Sequence, residues 1–174
     1  GISAIPSEAF HDCGFNGTLT LHDGLTNIAN DAFNNCHFKG ELRLPKDLKV
    51  ISNNTFYNND FSGVLSIPSE VSHIGSGAFA NNGRLMGILD IPESVESIGE
   101  SAFSHCTMLE GIVFPESMET IRQGAFNECF GINSIVCKGT MPAYVESGAF
   151  DGIDKDNFTL EVPASALQQY QTAS

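Results

Sequence analysis

The chain has 174 residues, 41% of them hydrophobic, no tryptophan and a formal net charge of −13. That length fits one domain with a sizeable core, and the acidic balance argues against nucleic-acid binding, which calls for clustered Lys and Arg. No run approaches the ~20 apolar residues that a spanning helix needs, so no membrane insertion is expected in this segment.

In chain order the dominant feature is recurrence. Ala9-Phe10 returns as Ala32-Phe33, Thr55-Phe56 (Thr replacing Ala), Ala78-Phe79, Ala102-Phe103, Ala125-Phe126 and Ala149-Phe150. The steps between these phenylalanines are 23, 23, 23, 24, 23 and 24 residues. A period in the twenties marks a solenoid, and a solenoid offers an open surface rather than a closed catalytic pocket.

The other columns follow from alignment on the Phe. Five residues earlier stand Ile5, Ile28, Ile51, Ile74, Ile98, Ile121 and Val145. Eight earlier stand Leu25, Leu48, Val71, Val95 and Met118, and eleven earlier Pro45, Pro68, Pro92 and Pro115. Before the prolines run alternating pairs: Leu19/Leu21, Leu42/Leu44, Leu65/Ile67, Leu89/Ile91 and Ile112/Phe114, continued by Ile135/Cys137 and Leu160/Val162. Period two predicts a short strand, which proline ends because it cannot donate to the ladder. Val95, Ile98, Ala102 and Phe103 then suit an irregular or short helical turn with its apolar side inward. Stacked copies predict one parallel sheet at about 4.8 Å spacing, a ribbon roughly 30 Å long, with the phenylalanines as an inner aromatic column. The chain opens inside a repeat, at Ile2–Phe10, without Met, and reads as a mature or trimmed chain with any leader outside it. Near the other end, Pro163–Ala173 reads as a short helix whose Leu167 and Tyr170 cover the last strand.

The runs Ile91–Cys106 and Ile67–Phe79, the Phe-x-Gly-x-Leu lead-ins at Phe15, Phe38 and Phe61, and the tail Phe158–Tyr170 resemble the BspA-like leucine-rich repeats. The resemblance implies an α/β solenoid over residues 1–174, of about seven repeats. Its form would be a right-handed leucine-rich-repeat superhelix with a single parallel sheet, an irregular or short-helical convex side, and a capping strand and helix at 158–174. It also implies a secreted or cell-surface bacterial protein that attaches to host proteins or neighbouring cells. It carries over no catalytic or cofactor residues.

Cys13, Cys36, Cys106 and Cys129 share one column, which Asn59 and Asn82 fill elsewhere. Neighbouring copies lie within disulfide reach, but side chains in a parallel ladder point the same way. They are read as unpaired thiols at a turn that needs a small side chain. The five His share no column, and structural zinc needs about four converging ligands, so no cofactor or bound metal is expected from them. Glu93 and Glu96 align with Glu116 and Glu119 one repeat on. They read as a solvated acidic face, with a shallow site for a divalent cation such as calcium, or for a basic protein segment, as the sharper alternative. Lys39, Arg43, Lys46 and Lys49 read as neutralising Glu41 and Asp47, or as taking an anionic partner.

The outward strand positions are Thr20, Arg43, Ser66, Asp90, Val113, Val136 and Glu161, flanked by Thr18, Glu41, Val64, Ile88 and Thr159. Aliphatic and charged residues without aromatics suit a protein or peptide partner better than a sugar. No spacing of Ser, His, Asp or Cys forms a catalytic constellation. The function expected is a non-enzymatic surface module for a protein partner, such as a host extracellular-matrix or plasma protein. A spacer segment of a longer array and an accessory glycan binder are the alternatives.

Overall fold

The computed structural model describes residues 1–172; Ala173, the last residue of the expected helix, lies outside them. Its strands are β1 (Ala4–Ile5), β2 (Asn27–Ile28), β3 (Lys39–Gly40), β4 (Val50–Ile51), β5 (Asp60–Gly63), β6 (His73–Ile74) and β7 (Arg84–Asp90). They continue as β8 (Ser97–Ile98), β9 (Met108–Phe114), β10 (Thr120–Ile121), β11 (Ser134–Cys137), β12 (Tyr144–Val145) and β13 (Thr159–Glu161), followed by the helix α1 (Leu167–Thr172).

Every pairing is parallel, as stacked coils require, and the chain forms a solenoid with very little helix. The longer strands form a six-stranded ladder in the order β13-β11-β9-β7-β5-β3. Leu89, Ile112, Ile135 and Leu160 lie in register on its inner side. The expected single sheet is not the whole pattern. A second, seven-stranded ladder, β1-β2-β4-β6-β8-β10-β12, carries the isoleucine column from Ile5 to Val145. Each of its strands is only two residues long, too short for period two to show in the sequence. Stacking creates this ladder, because an extended dipeptide repeated in register must pair with its own copies.

The turn around each Phe is not helical. Residues two before and two after it have positive φ, as in Asp31 (58°) and Asn35 (56°) around Phe33. Asn, Asp and Gly dominate these two columns, because they enter the left-handed region at least cost. The backbone therefore aims alternate N–H groups along the solenoid axis. Asp31 donates to the Asn53 carbonyl at 3.0 Å, Phe33 to Thr55 at 3.0 Å and Asn35 to Tyr57 at 2.9 Å. The same three bonds recur between the central coils, always from one coil to the next.

These bonds hold the aromatic column in register. Phe79 and Phe103 stack with centroids 5.2 Å apart, and Phe103 and Phe126 at 5.3 Å with planes only 1° apart. Phe15, Phe38 and Phe61 form a second stack beside it, edge-on to the first at Phe33–Phe38.

The Cys/Asn column does more than fit a turn. The Cys36 thiol donates to the Phe10 carbonyl at 2.8 Å and Cys129 to Phe103 at 3.1 Å. Asn59 and Asn82 Nδ2 do the same for Phe33 and Phe56, at 2.9 and 2.8 Å. The column needs a short donor that reaches one coil back, which both residue types supply. All five cysteines are free. Burial pushes the Cys129 thiol up to about 12 and raises Cys106 well above its ordinary value.

At the C-terminal end the residue that enters the core is Ala166. Leu167, expected to cover the last strand, stays exposed. Tyr170 instead donates its hydroxyl to the carbonyl of Gly139 at 3.1 Å.

Candidate binding surface

The outward face of the long strands is built on glycine. Gly87 has a φ of 75°, and a Cβ there would stand 3.1 Å from Val64 Cγ2 of the preceding coil. At Gly111 a Cβ would stand 2.5 Å from Ser134 Oγ of the following coil and 3.6 Å, an ordinary contact distance, from Ile88 Cγ1. Val64 thus leans over the next coil's glycine, where a larger residue would push it away, and Ile88 lies beside Gly111 at contact distance. Val64 and Ile88 rest on this floor, yet remain 65% and 55% exposed.

Met86 and Met108 join them, paired in register between β7 and β9 and both exposed. Sequence reasoning missed both methionines. It began these strands only two or three residues before their prolines, whereas β7 and β9 each run for seven residues. The alternation Leu85-Met86-Gly87-Ile88-Leu89 was the available signal. The register shifts between Gly87 and Ile88, so Glu110 is an extra residue on β9. Such a bulge re-aims the side chains around it.

Charges border this apolar strip. Arg43 and Ser66 bridge in register, and Asp90, Val113, Val136 and Glu161 form one outward row. Arg43 pairs with Asp23 of the preceding coil at 3.3 Å, rather than with Glu41 or Asp47. Both groups are well exposed, so the pair adds little stability.

Of the stacked glutamates, Glu93 has partners for its carboxylate. Glu93 accepts the backbone N–H of Glu116 at 3.1 Å, and Lys138 Nζ lies 3.7 Å from Glu93 and 3.6 Å from Asp90. The fold thus gathers Asp90 and Glu93 around one ammonium group. Glu96 and Glu119 are linked through the backbone, Glu119 N–H to Glu96 carbonyl at 2.8 Å. Among the described residues no group of three or more His, Cys, Asp or Glu is placed to hold a metal ion. No described helix is long and apolar enough to cross a membrane.

The repeat pattern of the BspA type leucine rich repeat region matches residues 1–88 and 84–170, in six copies. The chain belongs to that family, whose fold is a repeat scaffold suited to binding. No curated protein matches it. A leucine-rich repeat protein from Bacteroides ovatus is similar at 16% identity and a TM-score of 0.39, over 94% of this chain and 65% of that one. This chain therefore spans just under two thirds of that protein. A leucine rich cell surface protein from Faecalibacterium prausnitzii is similar at 17% identity and a TM-score of 0.41, over 99% of this chain and 73% of that one.

Proposed function

We propose that this chain is a non-enzymatic binding module, secreted or displayed on a bacterial surface, that takes a protein partner on the outward face of its long strands. The observation that carries this reading is the exposed strip of Val64, Met86, Ile88 and Met108. An apolar centre with a charged rim is the usual anatomy of a protein interface. Val64 packs closely on Gly87 of the next coil, which lowers its ordering cost at binding. The methionines can adapt to the partner's shape. Arg43 and the Asp90–Lys138–Glu93 group form the rim and orient the encounter.

The finer reading is adhesion to a host or neighbouring-cell protein, of extracellular-matrix or plasma type. Family membership supports it. Binding of the purified chain to immobilised matrix and plasma proteins tests it. Saturable binding that weakens as salt rises is expected. Ile88→Asp should weaken it by about 30-fold, the effect of an interface residue worth ~2 kcal/mol. Glu119→Gln, away from the strip, should leave it unchanged. A folded chain that binds nothing in the panel would favour the spacer reading instead.

A further inference from the structure

The apolar strip on the long strands has a shape and a charged border that narrow the kind of partner it can take. Val64 and Ile88 each follow a glycine, Gly63 and Gly87, and stand in one column of successive coils. Met86 lies two residues before Ile88 on β7 and pairs in register with Met108 of the next coil. The four side chains therefore form a diagonal that crosses two coil steps and two residues of strand. With coils about 4.8 Å apart and about 3.3 Å per residue, the diagonal is ~12 Å long.

The stacking leaves this face no backbone for a partner to join. β5, β7 and β9 each have a parallel neighbour on both sides in the six-stranded ladder, so the strip lies away from any sheet edge. An extended segment laid on these side chains would find no ladder, and its own N–H and C=O groups would lose water without gaining partners. A helix brings its backbone already paired. Its apolar side chains at i, i+3 or i+4, and i+7 span about 10.5 Å, close to the length of the diagonal. Same-face residues of a strand fall about 6.7 Å apart, out of step with the coils.

Two carboxylates mark the ends of the diagonal. Glu41 occupies the Val64 column one coil earlier, its Cγ 3.1 Å from where a Cβ on Gly63 would stand. Glu110, the extra residue on β9, follows Met108 by two. Both are exposed, and among the described residues neither has a cationic partner. They lie three coils apart, roughly 14 Å, the rise of about ten helical residues. Arg84, exposed two residues before Met86, is a cation on the same flank.

We infer, on the reading that this strip is the binding surface, that the segment it takes is an amphipathic helix of about three turns. Its apolar face carries residues at i, i+3 or i+4, and i+7, with Lys or Arg at both ends of that face. The basic ends pair with Glu41 and Glu110, and Arg84 takes a single carboxylate between them. The unbranched, polarizable methionines accept Leu or aromatic anchors alike. Salt screens the end pairs, in the same sense as the partner binding proposed above.

Selection of a random peptide library on the folded 174-residue chain, with counter-selection on Ile88→Asp, tests this. Enriched peptides are expected to repeat apolar residues with a period of about 3.6, to carry Lys or Arg at both ends, and to gain helical circular dichroism on binding. For one such peptide, Ile88→Asp should weaken binding about 30-fold. Glu41→Gln and Glu110→Gln should each weaken it about two- to five-fold and flatten its salt dependence. Glu119→Gln, which removes the same charge elsewhere, should leave it unchanged. Should Ile88→Asp lose its fold, Val64→Asp replaces it at a more exposed site. Enriched peptides that alternate apolar residues at period two, or that carry acidic ends, overturn the helix and leave the strip as the binding face. A selection that yields no peptide preferring wild type over Ile88→Asp also overturns the helix. If Ile88→Asp then binds the matrix and plasma panel like wild type, the strip reading falls with it.

Discussion

The central coils and the end coils are written in the same residues but hold them differently. Phe79 and Phe103 are fully buried, whereas Phe10, in the same column, is 38% exposed. Ile74 is fully buried and Val145, again in one column, is not. Burial in a solenoid thus belongs to the neighbouring coil as much as to the residue itself. A column predicts which way a side chain points. Only a coil on each side makes that direction count as core.

The sharpest way to break this contrast is to truncate the same residue in both settings. Phe103→Ala removes a ring stacked on both faces, and should cost about 3–5 kcal/mol in urea unfolding. Phe10→Ala removes a ring stacked on one face only and should cost about a third of that. Equal losses would mean that the end coils are as well covered as the middle.

A smaller effect separates two central coils. Asn82 donates to the carbonyls of Phe56 and Phe79 at 2.8 and 2.9 Å, yet its Oδ1, fully buried, has no partner. In Asn59 the same atom accepts the Phe38 N–H at 3.0 Å. Asn82→Ala should cost ~0.5–1.5 kcal/mol by removing its hydrogen bonds, since the Phe56 and Phe79 carbonyls keep second donors in Asn59 and Cys106. Asn82→Cys should cost less than Asn82→Ala, since a thiol serves this column at Cys106 and brings no orphaned acceptor. Thermal melts of the two variants, side by side, check the order.

The buried thiols make the gentlest test. Cys129 is raised from an ordinary 9.0 to about 12, chiefly by burial. Between those values the unfolded chain loses the proton while the folded one keeps it. Stability is therefore fully present below about pH 9 and falls as pH rises towards 12. Unfolding midpoints across that range should show the decline, and Cys129→Ala should make it shallower, with Cys106 carrying part of the rest. In native protein below pH 9, a thiol reagent should react first with the exposed Cys13 and leave Cys36, Cys106 and Cys129 untouched.

Much of the scaffold was legible because repetition averages out local ambiguity. A single Ile-x-x-x-x-Phe says little, but several copies in register specify the inward columns and where the long strands end. The outward row of Arg43, Ser66, Asp90 and Val113 was legible for the same reason. The apolar strip was legible only in part. Val64 and Ile88 fell on a predicted row, but Met86 and Met108 did not, because strand length depends on pairing and not on alternation near a proline. The role of the Cys/Asn column was hidden too, since its acceptor lies in another coil.

The chain by itself determined its period, its inward columns and its family, all properties of residue order repeated at fixed spacing. Tertiary structure alone decided the second ladder, the one-way hydrogen bonds around each Phe and the partners of Arg43 and Glu93. It also decided which members of each column are sheltered. Each of these depends on what lies one coil away, and a residue's neighbours across the stack are set by the path of the whole coil.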